Sequence, residues 1–304
     1  MTDQTPVLFG EVLFDCFDDG SRVLGGAPFN VAWHLQAFAG SPILVSRVGD
    51  DQMGRKIRDV MRDWGMSTVA LQRDADHSTG EVRICLRDGQ PEFDILEDRA
   101  FDHIQADTLP PLNPSLIYHG SLGLRLPDSA AALERLLRRH PAPVFMDVNL
   151  RPPWWDRTRV ARWLDQARWV KINDDELSTL VVSADDLQSK ARQLRQRHDL
   201  TWVIVTRGAQ GAFVLDRRGG LYETSPAPST PMVDTVGAGD AFASICILGL
   251  LRSWPIPLIM ERAQQFASLL VGQRGATIDD PAVYGALMVE WQALRGPVRG
   301  RASS

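Results

Sequence analysis

The stretch Val233-Asp234-Thr235-Val236-Gly237-Ala238-Gly239-Asp240-Ala241-Phe242-Ala243 holds the densest set of residues that could do chemistry. Apolar periodicity begins directly after it and runs to Leu251, which puts Gly237, Ala238 and Gly239 at a helix N-terminus. Small residues there let a ligand approach the backbone, and the unpaired amides and helix dipole favour an anion. Asp240 falls in the first helical turn. A carboxylate at that place caps a helix; beside an anion hole it can also take the proton of a hydroxyl that attacks a bound phosphoryl group. Near the N-terminus a second set stands out. Gly10-Glu11-Val12-Leu13-Phe14-Asp15 ends an apolar run with an acid, and Gly25-Gly26-Ala27-Pro28-Phe29-Asn30 follows ten residues on. Gly25-Gly26 permits tight backbone geometry, Pro28 suits a first helical turn, and Asn30 offers both donor and acceptor. Asp15 and Asn30 at the mouth of a sheet suit sugar hydroxyls, with a Gly-Gly turn capped by Asn30 as the plainer alternative.

Other chemistries lack their residues. There is no GxxxxGK[ST] phosphate loop, no GxGxxG after the first strand and no protein-kinase motif set. Cys16, Cys85 and Cys246 are scattered without CxxC spacing, which speaks against a zinc site or disulfide framework. His34, His77, His103, His119, His140 and His198 show no ligand spacing either. The net charge of −5 disfavours nucleic acid as a partner. No run of about 18 apolar residues points to a membrane. The N-terminus has no basic segment followed by a long apolar run, so a cytoplasmic location is expected.

The elements that must position these residues alternate. Apolar runs at Val7–Phe14 (interrupted by Gly10), Ile43–Val48, Leu116–His119, Val144–Val148, Trp169–Ile172 and Val203–Thr206 read as strands. Between and after them, Pro28–Phe38, Gln52–Trp64, Asp128–Arg139, Val160–Gln166, Ala184–His198, Gly237–Leu251, Leu258–Gln273 and Pro281–Leu294 read as helices. Such alternation predicts an α/β fold with a mostly parallel sheet and helices on both faces. One region breaks the rhythm: Val82, Ile84 and Leu86 alternate with Glu81, Arg83 and Arg87, and Asp88-Gly89 precedes Phe93 and Ile95. That is a hairpin signal, read either as a flap closing over the ligand end or as an ordinary edge hairpin. The chain is expected to be a single domain over 1–304, with a disordered tail at 296–304.

Seven ordered blocks resemble one family. GGAPFNVAWHLQAFAG (Gly25–Gly40) and DTVGAGDAF (Asp234–Phe242) look like the two signatures of the PfkB, or ribokinase-like, carbohydrate kinases. VGDDQMG, GSLGLR, DVNLRPPWW, KINDDEL and VTRGAQGA fall between them in the family's order. The resemblance implies a three-layer α/β/α core carrying a small β lid, formed by about 10–25 and 78–100. It implies phosphorylation of a sugar by ATP with Mg²⁺, and Asp240 as general base beside an anion hole of Gly237, Ala238 and Gly239. By the same resemblance Asp15, Gly25, Gly26 and Asn30 contact sugar, while Asn173, Thr206, Gly208 and Gly211 meet ATP. Glu176 would organise Mg²⁺ through water, Asp234 a monovalent cation such as K⁺, and Arg151 could reach phosphate. Asn173 and Glu176 also fit a plain helix cap. The blocks look most like the bacterial fructokinase branch, with a 2-keto-3-deoxygluconate kinase, another sugar or nucleoside kinase, or a non-catalytic sugar or nucleotide sensor as alternatives. A carboxylate-bearing sugar would need a dedicated cation, for which Arg83, Arg87 and Arg99 are at hand. Open edges on the hairpin suggest a homodimer through the lid.

Overall fold

The computed structural model describes residues 5–87, 90–226 and 233–293. The Asp88-Gly89 turn and the 296–304 tail lie outside the described residues.

Among the described residues, the strands are β1 (Thr5–Phe9), β2 (Leu13–Phe17), β3 (Arg22–Gly25), β4 (Ile43–Gly49), β5 (Leu71–Asp74), β6 (Gly80–Arg87), β7 (Gln90–Ile95), β8 (Pro114–His119), β9 (Val144–Asp147), β10 (Trp169–Asn173), β11 (Trp202–Thr206), β12 (Ala212–Asp216) and β13 (Leu221–Thr224). The helices are α1 (Ala27–Ala37), α2 (Gln52–Asp63), α3 (Pro127–Arg139), α4 (Arg157–Leu164), α5 (Asp174–Leu180), α6 (Leu187–Arg197), α7 (Ala238–Leu251), α8 (Ile256–Val271) and α9 (Pro281–Ala293).

Nine strands form one sheet in the order β13-β12-β11-β10-β9-β8-β1-β4-β5. From β11 across to β5 every pairing is parallel, and β12 and β13 add an antiparallel edge. Strand alternation sorts the core into two layers. Leu8 and Tyr118 join the apolar cluster that α1, α7 and α8 complete on one face, whereas Val7, Phe9 and Ile117 join the cluster built with α3 and α6 on the other. The expected three-layer α/β/α arrangement is therefore present.

The apolar run Val7–Phe14 is not one strand. Gly10 adopts φ +143°, and the chain leaves the large sheet after β1 and enters a second sheet as β2. That sheet has the order β3-β2-β6-β7, so the two expected lid segments are partners within it. Val82 is buried and packs with Leu13 and Phe101, while Arg83 on the alternate face is exposed. Two polar clasps fix where the β6–β7 hairpin leaves the body. Asp51, which caps α2 by accepting from Gly54 N, also accepts from Thr79 N at 2.8 Å and Thr79 Oγ1 at 2.7 Å. At the other foot Arg125 donates to both oxygens of buried Asp102, each at 2.7 Å, and to Leu96 O.

Candidate active site

In a parallel sheet the carboxyl ends of the strands share one edge, and ligand sites form outside it. Here that edge carries the residues following β1 and β8 and the last residues of β9, β10 and β11: Gly10-Glu11, Gly120, Asp147, Asn173 and Thr206. Asn173 and Thr206 are register partners on adjacent strands. So are Asp147 and Lys171, and the Lys171 ammonium donates to both Asp147 oxygens at 3.0 and 2.9 Å.

Helix α7 points its N-terminus into this edge. Its first turn has no side-chain cap, and Ala238 N donates only weakly, to Thr235 O at 3.3 Å, so little of the turn's donor capacity is used by side chains. Gly237 is needed for two reasons. It holds φ +79°, and a Cβ there would come within 2.5 Å of the Ala276 Cα. Ala276 is itself fixed, because buried His34 of α1 binds its carbonyl through Nε2 at 3.0 Å and Tyr284 through Nδ1 at 2.9 Å. Burial keeps His34 neutral, pushing its pKa down to about 3. Asp234, just before the turn, accepts from Val236 N at 3.0 Å and Gly275 N at 3.1 Å, tying the same two loops together.

Asn30 and Asp240, 210 residues apart, meet directly: Asn30 Nδ2 donates to Asp240 Oδ2 at 2.8 Å. Asn30 Oδ1 is buried without a partner, an acceptor held ready for a donor. A Cβ on Gly25 would lie 3.6 Å from Asp15 Oδ2 and 4.0 Å from Asn30 Oδ1, so Asp15, Gly25 and Asn30 share one wall. Gly26, at φ +106°, sits so close to Glu11 that a Cβ would press to 2.8 Å from its carbonyl. The second wall begins at Gly239, where a Cβ would stand 3.2 Å from Lys171 Nζ.

The site's carboxylates are held against ionisation. Burial lifts Asp240 to about 6; the Asn30 hydrogen bond opposes this, the Asp147 charge adds to it, and Lys171 and Arg151 oppose it. Burial likewise lifts Asp15 to about 6, against the pull of Arg151, and Glu11 to about 7. Arg151 is exposed, and its charge lowers the carboxyls of Glu11, Asp15 and Asp240 alike against the burial that raises them.

Glu176 and Asn173 form the reciprocal cap that the sequence offered as the plainer alternative: Asn173 Oδ1 accepts from Glu176 N at 2.8 Å, and Glu176 Oε2 accepts from Asn173 N at 3.0 Å. Glu176 Oε1 accepts from Leu150 N at 2.7 Å. Burial raises the Glu176 carboxyl, and the nearby Asp147 charge adds to it. Each Glu176 oxygen keeps a further lone pair, and two neighbouring acids share Lys171 as counter-charge. That donor set fits a hydrated hard cation approached through water. The Thr206–Gly211 turn lies farther along the edge, with Gly208 at φ +50° and Gly211 at φ +79° packed against Thr224 O. No direct contact joins this turn to Asp240 among the described residues.

Sequence reasoning passed over Glu11, Asp147 and Lys171 as site residues. Lys171 carried a usable signal, a lone cation inside the apolar strand Trp169-Val170-Lys171-Ile172. Its partner Asp147 lay on another strand. Arg99, offered as a pocket cation, opens the short turn Ala100–His103, its backbone N donating to Asp102 Oδ2 at 2.9 Å. Trp154 stacks under the Arg125 guanidinium at 4.7 Å, as a structural aromatic.

Comparison with known proteins agrees with this geometry. The model of the pfkB family carbohydrate kinases matches residues 17–283. An aminoimidazole riboside kinase of Salmonella typhimurium is 32% identical over 268 residues, 83% of each chain. A Klebsiella pneumoniae fructokinase is 31% identical over 259 residues, 80% of this chain and 83% of its own. In structure, the Vibrio cholerae fructokinase bound to fructose, ADP and calcium superposes with a TM-score of 0.83 at 23% identity, covering 94% of this chain and 99% of its own. The Salmonella enterica aminoimidazole riboside kinase, complexed with aminoimidazole riboside and an ATP analogue, gives 0.81 at 26%, covering 93% and 99%. With a family match across residues 17–283 and a relative 32% identical over 83% of each chain, the chain belongs to the pfkB family of carbohydrate kinases.

Proposed function

We propose that this kinase phosphorylates fructose from ATP at the C6 hydroxyl, with Asp240 as general base. The observation that carries the reading is the Asn30–Asp240 hydrogen bond, which seats a polyol-binding side chain and a poised base in one cleft. Asn30 Oδ1 accepts from a sugar hydroxyl, and Asp15 with the Gly25-Gly26 backbone holds others. The attacking hydroxyl gives its proton to Asp240 as its oxygen bonds to the γ-phosphorus, and the bond from that phosphorus to ADP breaks in line. Amides of Gly237, Ala238, Gly239 and Asp240 stabilise charge on the transferred group, preorganised because Gly237 and Ala276 interlock.

Lys171 neutralises Asp147 beneath this turn, so the anion meets a cleft less negative than its acid count suggests. Asn173, Thr206, Gly208, Gly211 and Arg151 line the path for the nucleotide. Mg²⁺, when bound with ATP, neutralises phosphate charge, and Glu176 would hold its water shell. Asp234 is the candidate for a K⁺ requirement through the loop it fastens, checked by exchanging KCl for choline chloride. The small sheet, as a lid, excludes water from the transfer. Exposed Val23 on edge strand β3 and Phe93 on edge strand β7 suit pairing with a second copy, checked by light scattering.

A riboside substrate is the second reading, favoured by the 32% identical Salmonella relative. The discriminating experiment offers ATP and Mg²⁺ with fructose, ribose, aminoimidazole riboside, 2-keto-3-deoxygluconate and glucose, following ADP release and locating the phosphate by NMR. Fructose 6-phosphate as the product with the highest kcat/KM supports the proposal; preferred turnover of any other acceptor overturns it.

A further inference from the structure

A second cluster of ligand-type side chains stands at the base of the small sheet. His77 lies three residues before β6, Asp98 three residues after β7, and His103 ends the short turn Ala100–His103. Twenty-six residues separate the two histidines in sequence, yet their rings stack with centroids 3.7 Å apart and planes 17° apart.

The outer nitrogen of each ring is committed. His77 Nδ1 is 3.0 Å from Asp74 Oδ2, and His103 Nδ1 is 2.9 Å from Asp128 Oδ2. A carboxylate only accepts, so each Nδ1 carries the proton; His103 Nε2, 2.8 Å from Asp98 Oδ1, donates as well, and although burial opposes it, the hydrogen bonds to Asp128 and Asp98 raise the His103 pKa. Both Nε2 atoms face one oxygen, Asp98 Oδ1, at 3.7 Å from His77 and 2.8 Å from His103. The two Nε2 atoms and a carboxylate oxygen lie within 4.8 Å of one another, near enough to share one cation once His103 gives up its Nε2 proton. Histidine ligands whose second nitrogen binds a carboxylate are the usual outer arrangement of a metal centre, because it fixes tautomer and ring direction. Asp74 is itself held by Arg47 Nε at 2.8 Å. Asp98 adopts φ +55°, a left-handed turn that Asp tolerates.

We propose that His77, Asp98 and His103 form a binding site for a transition-metal dication of the Zn²⁺ class, with Asp74 and Asp128 as its orienting carboxylates. Two imidazoles and a carboxylate select Zn²⁺, Co²⁺ or Ni²⁺ over Mg²⁺ or Ca²⁺, which seek oxygen alone. Three protein ligands leave a fourth position for water, and the exposed Asp98 side chain gives an ion its entry. Capture requires the stacked rings to splay, with each Nδ1–carboxylate contact as pivot. The ligands come from both feet of the β6–β7 hairpin, already joined by the Ala100 N to Ser78 O bond at 2.9 Å, so a bound ion would fasten the hairpin to the body. The centre shares no residue with the kinase cleft.

Metal-free full-length protein, without nucleotide, is titrated with Co²⁺ by visible absorption and with Zn²⁺ by calorimetry. The proposal expects one more equivalent in the wild type than in the His77→Ala/His103→Ala double variant. It also expects affinity at least about tenfold weaker in Asp128→Asn, the cost of losing an orienting carboxylate, and a Zn²⁺-dependent rise in Tm that the double variant lacks. Equal uptake by wild type and double variant overturns it, and is the result if the cluster holds only a proton. Should circular dichroism show the double variant unfolded, Asp98→Ala, altering a side chain 69% exposed, decides in its place.

Discussion

Two groups of carboxylates in this molecule are treated in opposite ways. At the foot of the small sheet Asp51 and Asp102 are fully engaged. Burial pushes the Asp51 carboxyl up, but the Thr79 and Gly54 amides and the Thr79 hydroxyl outweigh it and hold it below the ordinary value. Asp102 lies buried in a two-pronged ion pair with Arg125. In the cleft, Glu11 is buried and Asp15 and Asp240 are half-buried, all three with few donors, and all three are lifted, to about 7, 6 and 6. Glu11 Oε2 has no partner at all among the described residues. The first group spends its hydrogen bonds on the fold. The second leaves oxygens unmatched, which costs stability and keeps acceptors available for a hydroxylated ligand.

Removing one member of each group breaks the comparison most sharply. Asp102→Ala leaves the Arg125 guanidinium buried and unpaired, and urea unfolding should register a loss of about 3–5 kcal/mol. Asp240→Asn should do the reverse. It keeps an acceptor for Asn30 while deleting a charge the folded state disfavours, and at pH 8 it should gain on the order of 1–3 kcal/mol. The sign follows from linkage. An acid whose folded pKa is about 6 against 3.8 unfolded loses stability as pH rises between those values. The gain should therefore shrink toward pH 4 and vanish below it. Asp51, held low, gives the opposite trend, contributing above its unfolded value and releasing the hairpin foot as pH falls past it.

A smaller effect sharpens the same contrast in kinetics. As the proposed base, Asp240 acts only when ionised, so kcat/KM should fall about tenfold per pH unit below an apparent pKa near 6. That value belongs to the coupled cluster of Glu11, Asp15 and Asp240. A profile flat from pH 7 to 5 would mean that no proton is taken up by these acids in the transition state.

Much of this arrangement was legible in the chain. Gly237–Asp240 announced itself because a small-residue turn opens an apolar helix, and Asn30 because Gly-Gly and Pro mark a helix start. What escaped were features made by neighbours in space. Gly10 splits one apolar run between two sheets, since a positive φ is invisible in the pattern of hydrophobic residues. Lys171 looked out of place in its strand, but Asp147 becomes its partner only through parallel register. Five short elements, β3, β5, β12, β13 and α5, lack strong periodicity and draw their form from the sheet edges and caps they join. His77 and His103 had no ligand spacing because the fold closes a hairpin between them.

The most direct measurement is turnover of Asp240→Asn with fructose, ATP and Mg²⁺, alongside sugar binding by calorimetry. Loss of the general base predicts kcat lower by at least about 10²-fold with fructose affinity within a few-fold of wild type. Turnover near the wild-type rate would contradict the assignment of Asp240 as the residue that accepts the proton.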